Sequence, residues 1–469
     1  MTENALRQNR QSLILGLIKT VQELFPSEKL KIAYSILDGV YCELEGSLLS
    51  EREVNLIEAK LKQWVKENHS ISCELREDGF FHCSLNGTKI KSLYPATNQS
   101  VKLHTFRLIH YPPGFIILFP NPDQPQKLSQ FVPPEKLSAT FLESQRWLEN
   151  LHLAEVKDVN RIIKEKHSLE LICLAEALHE KKISLIADRI MEQRKNIKII
   201  LISGPSSSGK TTFAQRLSTQ LRVNGLRPIA LSLDNYFLAR EDTPRDESGQ
   251  PDFEALEALD LALLNAHIME LINGREVETP IYDFITGHRS PQSIPMKLRK
   301  DEILIMEGIH ALNPRLLPSL DRNKLFKIYV SALFQLNIDA YNRVPTTEVR
   351  LIRRLVRDDK FRGITPSRTL AQWASVRRGE NLNIFPYQEE ADVMFNSSLL
   401  YELNALRPYA EPLLISIPPN DPHYETATHL LRLLSFFDHL DVSKVPFNSI
   451  LREFIGGSVY QHEEKNEGS

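Results

Sequence analysis

"LISGPSSSGKTT", residues 201–212, decides the fold. From Gly204 to Thr211 it fits G-x-x-x-x-G-K-[ST]. The apolar run "NIKIILI" (196–202) before it reads as a buried strand. "TTFAQRLSTQLRVNG" after it places Phe213, Leu217 and Leu221 on one helical face, with Gly225 as the stop. A strand, a glycine-rich loop and a helix form the context in which this motif holds phosphate. Gly204, Pro205, Ser206, Ser207, Ser208 and Gly209 form the cradle, whose backbone N–H groups turn inward on phosphate oxygens. The glycines let the main chain turn and approach closely. Lys210 reaches the β- and γ-phosphates, the Thr211 hydroxyl ligates Mg²⁺, and Thr212 carries the cradle into the positive end of the helix. ATP and Mg²⁺ are the expected ligands.

Working outward, residues 195–435 alternate apolar strands with helices, which predicts a parallel sheet covered on both faces. Ligands of such sheets sit beyond the carboxyl ends of the strands. The strand "RPIALSLD" ends in Asp234, a carboxylate that can take a proton from an attacking hydroxyl or hold a metal. "DEILIMEGIHAL" delivers Glu307 at the end of its strand, where a carboxylate orients Mg²⁺ or its water. In "EVRLIRRLVRDDKFRG", Arg350, Arg353, Arg354 and Arg357 fall at helical spacing, as expected of an arginine-bearing lid that closes on ATP and offsets transition-state charge.

Residues 1–190 read as a separate α+β region. A helix is predicted from Ser12 to Phe25, with Leu13, Leu17, Val21 and Leu24 on one face, and a second from Ser50, whose Ser-x-x-Glu start is a capping box. "KIAYSIL" and "GVYCELE" read as extended, "RLIHYPPGFIILFPNP" as a hairpin, and helical patterns run from about residue 138 to 194 with a break near His167. Residues 436–469 are expected to be a C-terminal tail, frayed over "QHEEKNEGS". Four cysteines without a CxxC pair predict a reducing compartment and no disulfide framework. His104, His110, His167 and His179 lack zinc-like spacing and read as structural. A net charge of -3 argues against a general nucleic-acid or membrane binder, and no run is long and apolar enough for a membrane span. With no signal peptide at its start, a cytoplasmic protein is expected.

"GPSSSGKTT", "LSLDNYF", "PIYDF", "LIMEGIHAL" and "RLIRRLVRDDKFRG", in that order, resemble the uridine kinase and phosphoribulokinase branch of P-loop kinases over residues 196–415. "ADVMFNSS" is similar to the last strand of that fold. The resemblance implies an α/β P-loop kinase core that transfers the ATP γ-phosphoryl group to a primary hydroxyl, such as a nucleoside 5′-hydroxyl, most simply that of uridine or cytidine. It makes Asp234 the base and Lys210, Arg354 and Arg357 its catalytic companions, with Arg353 on the nucleotide. It places Tyr236, Tyr282, Arg289 and Arg350 on the acceptor side. Two positions depart from the pattern. Glu254 stands where an aspartate would hold the ribose hydroxyls, and Gly287 stands where a histidine would meet the pyrimidine, with His288 one residue on.

"FPSEKLKIAYSILDGVYCELEG" and "LSEREVNLIEAKLKQWVKE" are similar to the N-terminal editing region of threonyl-tRNA synthetases, but "RQSLILGLIKT" lacks the His-x-x-x-His pair of that region. This resemblance implies a binding, regulatory or dimer-forming domain, and with it a homo-oligomer. The leading expectation is a nucleoside kinase. Kept beside it are a kinase of another small alcohol or sugar phosphate, and an ATP-gated RNA-binding or regulatory protein whose first region contacts nucleic acid.

Overall fold

The computed structural model describes residues 3–98, 105–120, 127–246, 249–284 and 286–460. The chain folds as two compact units that interleave in sequence. The first comprises Met1–Lys164, Phe334–Pro345 and Leu431–Asp438, and the second Glu165–Leu333, Thr346–Leu430 and His439–Ser469.

The first unit contains α1 (Glu3–Leu24), β1 (Leu30–Ile36), β2 (Gly39–Leu44), α2 (Glu51–Lys66), β3 (Ile71–Leu75), β4 (Phe81–Leu85), β5 (Thr88–Ser92), β6 (Arg107–Tyr111), β7 (Gly114–Leu118), α3 (Glu135–Asn150) and α4 (Val156–Lys164). An antiparallel sheet runs β1-β2-β7-β6, and β3-β4-β5 form a second, three-stranded sheet. Leu13, Leu17 and Val21 of α1 and Val54, Ile57 and Leu61 of α2 share one core with Phe115 and Ile117 of β7. The capping box is present: the Ser50 side chain accepts from the Glu53 N–H, and the Glu53 carboxylate accepts from the Ser50 N–H. The helical stretch after residue 134 breaks twice rather than once, between α3 and α4 as well as near His167.

The expectation of no disulfide is corrected. Antiparallel pairing sets Cys73 directly opposite Cys83, with Cα atoms 4.0 Å apart, and the two are disulfide-bonded. A spacing of ten residues does not reveal the hairpin register that brings them together. Of the histidines, His110 and His179 meet the carbonyls of Leu49 and Ser398, at 2.8 and 3.1 Å, while His104 lies outside the described residues.

The second unit contains α5 (Ser168–Glu192), β8 (Ile199–Ser203), α6 (Lys210–Val223), β9 (Arg227–Ser232), α7 (Leu261–Ile272), β10 (Glu276–Asp283), β11 (His288–Lys297), β12 (Glu302–Glu307), β13 (Leu325–Ser331), α8 (Thr346–Arg362), α9 (Pro366–Asn383), β14 (Val393–Asn396) and α10 (Glu402–Ile415). α11 (Tyr424–Leu434) crosses into the first unit's last segment, and α12 (Arg452–Ile455) closes the described chain. Five parallel strands run β14-β13-β8-β12-β9. β8, "IILIS", is buried throughout, as a strand covered on both faces must be. β12 lies between β8 and β9, in a register that pairs Glu307 with Ile202 and with Ser232. The carboxyl ends of three strands therefore come level, and this alignment builds the site.

Two boundaries differ from the sequence reading. α5, placed by sequence in the first region, belongs to the second unit: buried Arg216 of α6 reaches Glu176 at 3.3 Å and Glu180 at 2.8 Å. Residues 439–460, read as tail, pack into the second unit with Ile450, Leu451 and Phe454 fully buried. The segment "QHEEKNEGS" lies outside the described residues. Among the described residues no helix is long and apolar enough to cross a membrane.

Candidate active site

The loop leaving β8 has the backbone its motif requires. Ser207 (φ 59°) and Gly209 (φ 82°) are left-handed, the backbone turn that a phosphate loop needs. Gly204 cannot carry a side chain, because a Cβ there would fall 1.9 Å from the Val330 carbonyl oxygen. The Lys210 Nζ donates to the Pro205 carbonyl at 3.2 Å and so lies against the loop. The Ser207 and Ser208 hydroxyls are buried without a hydrogen-bond partner. Orphaned hydroxyls in a loop at the positive end of a helix suit an anion.

Carboxylates from the neighbouring strands flank this loop. Glu307 Oε1 lies 3.4 Å from Thr211 Oγ1 and accepts from Ser232 Oγ at 3.2 Å. Asp234 follows β9 in a single 3₁₀ turn, Leu233–Tyr236. Burial pushes its carboxyl up, and the charges of Lys210, Arg362 and Arg357 pull it back. Burial and the neighbouring Asp234 push Glu307 up as well. A carboxylate held between burial and nearby cations has the character of a tuned base.

α8 supplies the cations without standing off as a flap. It buries Glu348 through Val356 and Asp358, so the expected lid is a packed helix beside the loop. Arg350, expected on the acceptor side, is committed beneath the cradle: it pairs with buried Glu380 and donates to the Ser206 carbonyl at 3.1 Å. Glu380 in turn accepts from the Ser206 N–H at 3.0 Å. Arg353 pairs with buried Glu402 and donates to the carbonyls of Ser397 and Ser207, at 2.9 and 3.4 Å, bracing the loop from below. Arg354 donates to Ser206 Oγ at 2.9 Å. Arg354, Arg357 and Arg362 share one buried carboxylate, Asp358. The proximity of Arg357 lowers Arg362 to about 10. Three guanidinium groups around one carboxylate leave excess positive charge near Asp234.

The acceptor-side residues separate. Tyr282 packs with Phe237 and Phe284, ring centroids 5.6 and 5.1 Å away, as an aromatic wall. The Oε2 atom of Glu254 is buried without a hydrogen-bond partner. Burial and Glu380 push its carboxyl up to about 7. Tyr236 turns into the core, its hydroxyl 3.0 Å from His267 Nδ1. Arg289 is a clamp on the carbonyls of Tyr236 and Phe237 and on Asp260. His288 is exposed, 3.7 Å from Glu241, at the rim. Glu380, Asp358 and Arg362 were missed by sequence reasoning. Arg362 stands within the "RDDKFRG" string already singled out, whereas nothing local marks Glu380.

Phosphotransferases of the phosphate-loop class are built on this plan, and the chain is a kinase of that class. Residues 199–399 match the Phosphoribulokinase / Uridine kinase family. The uridine kinase of Deinococcus deserti is 30% identical over 197 residues, covering 42% of this chain and 86% of that protein. That of Clostridium botulinum strain Kyoto is 32% identical over 198 residues, covering 42% and 86%. The solved structure of a possible uridine kinase from Bacillus stearothermophilus aligns with TM-score 0.32 and 20% identity, over 46% of this chain and 98% of that one. The chain belongs to the phosphoribulokinase and uridine kinase family, and the match leaves Met1–Lys164 of the first unit outside it while including that unit's Phe334–Pro345 segment.

Proposed function

We propose that the second unit transfers the γ-phosphoryl group of ATP to the 5′-hydroxyl of a nucleoside, uridine or cytidine. The observation that carries this is Asp234: a carboxylate at a strand end, under the influence of Lys210, Arg357 and Arg362, beside an aromatic wall. Asp234 takes the proton of the acceptor hydroxyl as its oxygen bonds to the γ-phosphorus and the bond to the β–γ bridging oxygen breaks. Lys210 and the inward N–H groups hold the β- and γ-phosphate oxygens. Arg354 and Arg357, with Arg362, offset the charge on the phosphoryl group in transit. Thr211 and Glu307, whose oxygens lie 3.4 Å apart, would hold Mg²⁺. When bound, that ion shields phosphate charge. Tyr282 and Phe284 supply the face on which a base stacks.

A second reading, a phosphorylated sugar or other anionic alcohol, draws on two observations. His288 is exposed at the rim rather than set over an acceptor, and Arg354, Arg357 and Arg362 share a single carboxylate. The test is a panel of nucleosides, sugar alcohols and sugar phosphates incubated with ATP and Mg²⁺, with products separated by mass. Uridine or cytidine 5′-monophosphate as the main product is expected. A bisphosphorylated sugar in its place selects the second reading.

A further inference from the structure

The end of the described chain returns to the phosphate cradle. A Cβ on Gly209 would fall 2.5 Å from Ile450 Cγ2, so Ile450 packs directly on the loop where it enters α6. One turn further on, Glu453 Oε2 accepts from the Thr212 N–H at 3.1 Å and from Thr212 Oγ1 at 2.8 Å. Other contacts hold this segment down. The Lys360 Nζ donates to the Ile455 carbonyl at 2.7 Å, and the Arg353 guanidinium lies 5.1 Å from the centre of the Phe454 ring. Ser449 Oγ donates to Glu176.

The first-turn N–H groups of α6 are the ones a bound nucleotide would use, because they have no partner within the helix and face the positive end of its dipole. At Thr212 that place is taken by a carboxylate of the chain itself. A carboxylate and a phosphate cannot both accept from one N–H, and two anions at contact distance repel each other. The helix that carries the carboxylate is short: α12 spans only Arg452–Ile455 and is followed by Gly456 (φ 87°) and Gly457 (φ 72°), both at positive φ.

We infer that residues 449–456 form an autoinhibitory strap, in which Glu453 occupies a phosphate position at Thr212 and is displaced when ATP binds. The inference rests on the ATP reading above. With the strap down, only the fraction of molecules that has released it is competent, so apparent affinity falls by that fraction.

The test is the ATP dissociation constant, in the presence of Mg²⁺, of the full chain, Glu453→Gln, Glu453→Ala and Lys210→Ala, each first checked for native circular dichroism. Glu453→Gln keeps an acceptor oxygen for Thr212 and guards against loss of fold in the alanine variant. Both Glu453 variants should bind ATP at least about 5-fold more tightly than the full chain. Unchanged or weaker binding by both, with the full chain binding ATP in a Lys210-dependent way, overturns the strap alone. Binding that ignores Lys210→Ala, or no binding by any of the four proteins, overturns the phosphate reading and the strap with it. Hydrogen exchange gives a second reading of the same idea. ATP should speed exchange across residues 449–456 of the unmodified chain, and slowing there would make the segment a wall of the nucleotide site instead.

Discussion

At the scale of single residues, the site is governed by where carboxylates are forced to sit. Asp234 and Glu307 are legible in sequence because each closes an apolar strand, and in a parallel sheet strand ends converge on one edge. Glu380 is not legible. It is 174 residues from Ser206, whose N–H it accepts, and only the packing of α9 on α8 brings it under the loop. Glu254 is legible as a position but not as an environment. Its carboxyl, raised to about 7, binds its proton more tightly in the folded chain than in the unfolded one. The stability linked to that proton is present below the unfolded value of about 4.3 and is lost as pH rises through the folded value. Glu254→Gln should therefore change thermal stability little at about pH 4 and stabilise by about 1–3 kcal/mol at about pH 8. Melting curves of both proteins at the two pH values decide this. An equal shift at both would mean that the carboxyl is not buried as described.

Among the elements, α8 is the one whose role changes most between sequence and structure. Its arginine spacing is plain in "RLIRRLVRDDKFRG", and a helix forms there. What the spacing cannot show is which arginines face chemistry and which face a buried acid, because that depends on α9 and α10. Arg350 and Glu380 are both almost fully buried, 1% and 0% exposed at their side chains, and neither has water to turn to if its partner is lost. Glu380→Gln should cost about 3–5 kcal/mol of stability, as expected when one member of a buried pair is removed. It should also weaken ATP binding, since the Ser206 N–H and the Arg350 brace lose their anchor together. Chemical denaturation measures the first effect, and a loss below about 1 kcal/mol would show the pair to be solvated. The three-stranded sheet β3-β4-β5 teaches the same lesson: each cysteine is visible in sequence, but its partner is set by cross-strand register.

For the molecule as a whole, the parallel sheet is legible in the sequence, while the path of the chain through its two units is hidden. Phe334–Pro345 and Leu431–Asp438 belong to the first unit although they lie far along the chain, and α5 belongs to the second. Apolar patterning assigns a segment to a buried face without saying which core owns that face. One consequence concerns α5. A chain beginning at Met191 loses Glu176 and Glu180 and leaves Arg216, 3% exposed, without those two acids, whereas one beginning at Glu165 keeps them. The Glu165 chain should melt at least about 5 °C above the Met191 chain, because the Met191 chain also lacks the apolar face of α5 that buries Leu171, Ile172, Ile183 and Ile186. Equal melting temperatures would show that α5 adds nothing to the second unit. The proposed role of Asp234 is that of the base in a site whose nucleotide half it does not hold. The deciding measurement is the turnover and the ATP dissociation constant of Asp234→Asn beside the unmodified chain, with the accepted hydroxyl substrate. Turnover should fall by at least about 100-fold while ATP affinity stays within about 3-fold. A collapse of ATP affinity with turnover per bound ATP preserved would make Asp234 a nucleotide or metal residue and contradict the mechanism.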